Sequence, residues 1–281
     1  MLKALLTRAR QGHRTIDYPH AAPALPDRFR GLPVLHPERC PDGCWACADA
    51  CPTGAIAVEN RLALDLGRCL FCTDCIEACP EAAIAFTGDF RLAASARANL
   101  VLGPETVLRV EALHQRSRRL FGHSLRLRQV SAGGCAACEA DANVLGTITW
   151  DMGRFGISFV ASPRHADGML VTGPITENMR EALLATWEAI PGPRLVIASG
   201  ACAISGGPFA GHPEVHDGVG HFLPVDLFVP GCPPHPITLL DGLLRLLGRI
   251  EGGKRRGFGE APGQASRIRQ RDRLTDALGR G

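Results

Sequence analysis

The sequence predicts an α/β protein: a doubly wound, mostly parallel sheet preceded by a small, internally duplicated α+β domain. Three observations predict it. Twelve cysteines fall into three sets of four, and eight of them lie in a tandem repeat near the front. From residue 125 onward, short apolar runs alternate with helical patterns, as in a parallel sheet with crossover helices. The remaining four cysteines each follow the end of one of those runs.

The repeat reads CPDGCWACADACP at 40–52 and CLFCTDCIEACP at 69–80. The second copy is Cys-x2-Cys-x2-Cys-x3-Cys-Pro, in which three thiolates take one [4Fe-4S] cube and the fourth reaches across to another. A constant shift of 28 residues carries Cys44, Cys51 and Ile56 onto Cys72, Cys79 and Ile84, so the halves are interlocked duplicates. The crossing rule assigns Cys40, Cys44, Cys47 and Cys79 to one cluster and Cys51, Cys69, Cys72 and Cys75 to the other. Three residues separate Cys40 from Cys44, which requires a wider turn and a Gly43 free to take positive φ.

Zinc sites also use short cysteine pairs, but they separate the pairs with a longer spacer and do not repeat three Cys plus Cys-Pro. Disulfides fit poorly, because the N-terminus lacks a sustained apolar signal core and dense free thiols suit a reducing compartment, so a cytoplasmic location is expected. With 281 residues, 46% hydrophobic and 21% charged, two globular domains are expected. No stretch is long and apolar enough to span a membrane; the apolar run 237–250 carries Asp241, Arg245 and Arg249. The net charge of +3 conceals basic stretches at 109–128 and in the tail, where 254–280 holds eight Lys and Arg against three acids. With a single Tyr and no aromatic interleaving, these read as solvated surface or docking arms, and no nucleic-acid partner is expected.

In the opening MLKALLTRAR, Leu2, Leu5 and Leu6 share one helical face opposite Lys3, Arg8 and Arg10. Such a helix suits a membrane surface or a subunit, or packs on its own domain. The proline-spaced YPHAAPALPDRFRGLP reads as extended chain. The expected organisation is an N-terminal extension 1–31, a two-cluster domain 32–92, a helical linker 93–124, an α/β domain 125–252 and a basic, flexible tail 253–281. Strands are expected at 125–130, 156–161, 169–172, 194–199 and 226–229, with helices at 139–149, 177–189 and 236–250.

Cys135 and Cys138 follow the first of these strands, Cys202 the fourth and Cys232 the fifth. Ligands of open α/β sheets collect at that C-terminal edge, so these thiols can converge on a third [4Fe-4S] cluster. Neighbouring glycines, including Gly133, Gly200, Gly207 and Gly231, let backbone approach an inorganic core.

The stretches GGCAACE at 133–139, VTGPITENM at 171–179, GACAISGGPF at 200–209 and VPGCPPHP at 229–236 resemble the small-subunit family shared by complex I and membrane-bound [NiFe] hydrogenases. The resemblance spans roughly 125–250 and implies a flavodoxin-like domain whose Cys135, Cys138, Cys202 and Cys232 hold one cluster beside a large partner subunit. Residues 32–92 resemble the two-cluster ferredoxin subunit of the same complexes, so two usually separate chains are joined here. Complex I members carry adjacent cysteines where this chain has Cys135-Ala-Ala-Cys138, and the spacing resembles the formate hydrogenlyase and hydrogenase-4 branch. In related hydrogenases the glutamate matching Glu139 is thought to relay protons, although an acid there equally suits a helix first turn. Ala201 and His235 replace the family's usual Asp and Arg.

The resemblance implies an electron-transfer subunit of a membrane-associated oxidoreductase complex. Its expected partners are a large [NiFe]-hydrogenase or complex I-like catalytic subunit, a soluble or subunit-borne electron donor or acceptor, and, indirectly, membrane-arm subunits. It would sit peripherally on the cytoplasmic face. A quinone-reducing complex I relative and a nonenzymatic iron-sulfur carrier or adaptor are the alternatives. No catalytic residue is expected on the chain itself: His-Glu-x-x-His, P-loop and Gly-x-Ser-x-Gly patterns are missing, and Ser205 has no evident base. One Cys-x-x-Cys pair outside the repeat is too few for a nickel site, which needs two.

Overall fold

A computed structural model describes residues 2–58, 62–103 and 119–250. The chain opens with α1 (Leu2–Gln11), followed by an irregular strap. The duplicated region contains β1 (Pro33–Leu35), α2 (Ala46–Asp49), β2 (Ile56–Ala57), β3 (Ala63–Asp65), α3 (Asp74–Glu77), β4 (Ile84–Phe86) and β5 (Val101–Leu102). Beyond it come β6 (Leu125–Ser131), α4 (Ala137–Val144), β7 (Ile157–Phe159), β8 (Gly168–Thr172), α5 (Glu177–Ala189), β9 (Leu195–Ser199), α6 (Ala201–Ser205), β10 (Leu227–Val229) and α7 (Pro236–Leu246).

The five strands from β6 onward are all parallel and lie in the order β10-β9-β8-β6-β7, the flavodoxin-like arrangement, with the order reversing between β6 and β8. β8, β9 and β10 are buried along their whole length because both faces are covered, whereas β6 alternates buried Leu125, Leu127 and Val130 with polar residues. Leu170, Ile197, Leu227 and Val229 face α7 through Leu240, Leu243 and Leu244. Met169, Val171, Val196 and Phe228 face α5 and the duplicated region, sharing one core with Leu64, Leu66 and Ile84. The front region therefore serves as a layer of the α/β fold. Among the described residues no helix is long and apolar enough to cross a membrane.

The duplication is visible bond by bond. Ala50 N–H to Ala46 O (3.1 Å) recurs as Ala78 to Asp74 (2.9 Å), and Cys51 to Ala48 (3.1 Å) recurs as Cys79 to Ile76 (3.3 Å). The wider first turn closes through Cys44 N–H to Pro41 O, with Gly43 at φ 74° as expected.

Two expectations are corrected. The linker does not begin as a helix: Ala94 bridges Phe228 on β10, a 3-10 turn spans Arg97–Leu100, and β5 pairs with β3. Edge backbones on β10 and β3 need partners, and pairing satisfies them better than a short isolated helix would. Residues 104–118 of that linker and the tail from 251 lie outside the described residues. Helix α4 stops at Val144, because Gly146 and the β-branched Thr147 and Ile148 favour turns. The expected extended segment is irregular chain pinned to the far core: Tyr18 donates to Asp241 at 2.5 Å, and Arg154 donates to the Ile16 and Tyr18 carbonyls.

Candidate iron-sulfur site

Three groups of thiols emerge. In the first, burial raises the Cys40 and Cys47 pKa values, and the neighbouring thiols Cys44 and Cys79 add to both. In the second, burial pushes Cys69 up to about 12, Phe71 N–H opposes, and Cys75, Cys51 and Cys72 raise it further. Burial pushes Cys75 up to about 11, with Cys72 and Cys51 adding. Cys51, Cys69, Cys72 and Cys75 line a small cavity whose walls include Ile56, Leu64 and Phe86. The fourth cysteine of each copy thus crosses to the other group, Cys51 to the second and Cys79 to the first. Backbone N–H groups aim at three of the sulfurs: Ala55 at Cys51 (3.2 Å), Ala83 at Cys79 (3.3 Å) and Phe71 at Cys69 (3.3 Å). The first two are related by the repeat.

The third group is assembled at the C-terminal edge of the sheet. Burial pushes Cys138 up to about 12 and Cys202 up to about 11, and each also feels Cys135 and Cys232. Backbone bonds zip the loops together: Ala201 N–H to Gly231 O (2.9 Å) joins those after β9 and β10, and Thr176 N–H to Ala132 O (3.1 Å) joins those after β8 and β6. Glycine is required where sulfur meets backbone. A Cβ on Gly200 (φ 94°) would lie 2.6 Å from Cys138 Sγ, and one on Gly207 2.9 Å from Cys202 Sγ.

The second group neighbours both of the others. Cys75 feels Cys47, which links the first group to the second, and Cys232 feels Cys72, which links the second to the third. Cys72 and Cys232 line one open cleft with Phe29, Phe71 and His235.

The donor set fits [4Fe-4S] cores. Neighbouring thiols, with Cys47, Cys69 and Cys75 buried, resist ionising together unless a cationic core offsets their charge. Among the described residues no three His, Cys, Asp or Glu side chains converge tightly enough for a single metal ion. Four thiolates per group is the donor number a [4Fe-4S] core takes.

Residues 135–246 match the family profile described as NADH ubiquinone oxidoreductase, 20 Kd subunit. An NADH-quinone oxidoreductase subunit of Geotalea daltonii is 43% identical over 135 residues, which are 48% of this chain and 78% of that one. The chain belongs to the 20 kDa subunit family. The family portion is the α/β half, while residues 39–83 match a 4Fe-4S dicluster domain. Hydrogenase components also resemble the chain. The probable membrane-bound hydrogenase subunit mbhJ of Pyrococcus furiosus is 39% identical over 132 residues, 47% of this chain and 79% of that one. Formate hydrogenlyase subunit 7 of Escherichia coli is 41% identical over 141 residues, 50% of this chain and 55% of that one.

Glu139 lies in the first turn of α4 and accepts a 2.5 Å bond from Thr172 Oγ1 at the end of β8. Burial works to raise its pKa, but hydrogen bonds from Ser131 and Thr172 outweigh that and hold it below the usual carboxylate value. His235 caps α7 by accepting from Ile237 N–H and lies edge-on to Phe29 and Trp150, where burial lowers its pKa. Ser205 donates to Gly67 O at 2.9 Å, a tie between the two halves. Sequence reasoning missed Arg97, which grips Asp65 through two bonds of 2.8 and 2.6 Å beside the turn leading to Cys69. Its one signal was Asp65-Leu-Gly67, an Asx turn in which Gly67 N–H reaches the Asp65 carboxylate.

Proposed function

We propose that this chain is the iron-sulfur electron-transfer subunit of an oxidoreductase complex, relaying electrons between a large catalytic subunit and a redox partner. The supporting observation is the adjacency of three thiol groups, joined through Cys75 beside Cys47 and Cys232 beside Cys72. Cys40, Cys44, Cys47 and Cys79 would hold the outer cluster, Cys51, Cys69, Cys72 and Cys75 the middle one, and Cys135, Cys138, Cys202 and Cys232 the one at the sheet edge. When bound, such clusters supply one-electron relay centres whose potentials follow burial and hydrogen bonds to sulfur. The chain's own residues set those conditions: Ala55, Ala83 and Phe71 donate N–H to sulfur, and Ile56, Leu64 and Phe86 keep water from the middle group. Exposure of Cys135 and Cys232 leaves the sheet-edge group open on the side where a large catalytic subunit would lie, as the resemblance to multi-subunit oxidoreductase components suggests.

Glu139, tied to Thr172 and held ionised, is better suited to bracing β8 against α4 than to passing protons. The Cys135-Ala-Ala-Cys138 spacing and the mbhJ and formate hydrogenlyase relatives favour a hydrogenase-type complex, in which the chain would sit peripherally on the cytoplasmic face of a membrane. The identity to the NADH-quinone oxidoreductase relative supports the second reading, a quinone-reducing complex.

Anaerobic analysis should return about twelve iron and twelve sulfide per chain. Well short of that, or only zinc-type tetrathiolate spectra, overturns the reading. Nickel in the purified complex with hydrogen evolution from a reduced dye supports the hydrogenase type, and inhibitor-sensitive quinone turnover without nickel supports the other.

A further inference from the structure

Helix α1 stands apart from everything described so far. None of its residues is buried: Leu2, Leu5 and Leu6 are 73%, 67% and 50% exposed. An isolated ten-residue helix is marginal in water, so an apolar face left bare has its stabilising surface elsewhere. We propose that α1 lies in the headgroup layer of an anionic lipid membrane and holds the chain against it.

Three observations favour lipid over a protein groove. Placed at 100° per residue, Leu2, Leu5, Leu6 and Ala9 form one continuous apolar arc with no polar side chain inside it. Lys3 and Arg10 flank one border of that arc and Arg8 the other, and the helix carries no acid. A bilayer surface presents anionic groups on both sides of an embedded helix, and long cationic side chains on both borders can snorkel to them. Third, the chain leaving α1 is stapled beside another bare apolar residue. Gly12 turns the chain at φ 63°, Thr15 Oγ1 donates to Ile148 O at 2.8 Å, and Ile16 N–H donates to Thr149 O at 2.9 Å. Ile148 is itself 73% exposed. The anchor therefore combines a short helix, a one-residue hinge and an apolar contact on the body of the protein, and it requires no spanning segment. It stands independently of the cluster assignments.

Flotation of the iron-loaded full chain with phosphatidylcholine vesicles, with and without about one-third phosphatidylglycerol, tests this. Binding should be about tenfold or more tighter to the anionic vesicles and should weaken sharply between 50 and 500 mM salt. Because the basic residues at 254–280 offer a second cationic source, the leucines decide. The triple variant Leu2→Gln, Leu5→Gln, Leu6→Gln should lose at least tenfold in binding while keeping the wild-type iron content and melting temperature. Lys3→Gln with Arg8→Gln and Arg10→Gln should flatten the salt dependence. Unchanged binding by the leucine variant, no binding by the wild type, or protection of α1 from protease by a partner subunit in lipid-free complex would overturn the proposal; the last would assign the helix to a protein groove.

Discussion

In each front thiol group three of the four cysteines come from one short stretch of chain, Cys40 to Cys47 or Cys69 to Cys75, whereas at the sheet edge the cysteines follow three different strands, Cys138 and Cys202 in the first turns of α4 and α6 and Cys232 in the loop after β10. The front groups lean on turns whose backbone bonds repeat every 28 residues. The sheet-edge group depends on strand order and on glycines that let sulfur touch backbone. Damage to a turn should therefore stay local and mild, and damage to the sheet edge should remove the whole group. The two regions nonetheless share one hydrophobic core, so their stability is coupled even though their assembly is not.

The largest expected effect that would sharpen this contrast is at Gly200. An alanine there places Cβ 2.6 Å from Cys138 Sγ at φ 94°. Gly200→Ala should yield about eight irons per chain instead of about twelve, with the spectrum of the front pair retained. Full iron content in this variant would break the comparison.

An intermediate effect is expected at the seam. Arg97→Ala strips Asp65 of a bidentate partner and should cost about 1–3 kcal/mol in chemical unfolding. A single shifted transition is expected, because the core runs unbroken from Leu64 to Val171. Two separate transitions would show that the halves unfold independently.

The smallest effect is expected at Gly43, whose φ of 74° is positive but whose missing Cβ would meet nothing within 4 Å. Gly43→Ala should cost about 1 kcal/mol in thermal unfolding and leave iron content unchanged. Loss of the outer cluster would mean that the wider turn after Cys40 tolerates no strain.

Much of this was legible in the sequence because the relevant physics is local. The spacing of Cys69, Cys72 and Cys75 is a property of one turn, and the shift of 28 residues relates the two copies without any coordinates. β8, β9 and β10 announced themselves as short apolar runs and β6 as an alternation of Leu125 and Leu127 with arginines. Ala93 to Leu102 was misread, because its alanines and leucine favour a helix only in isolation. In the folded chain Ala94 meets the open edge at Phe228 and Leu102 meets Leu64, and neither edge is visible from within the segment. The pairing of Arg97 with Asp65 was hidden for the same reason, since they are 32 positions apart.

From the amino-acid order alone follow twelve thiols in three fours, a duplicated front half and an alternating α/β back half, since each is written in spacings of a few residues. Only the tertiary structure decides that the duplicated half covers one face of the sheet, that Cys72 lies beside Cys232, and that the leucines of α1 remain bare. Those facts depend on which surfaces bury each other, and burial is settled among distant segments that compete for the same apolar area.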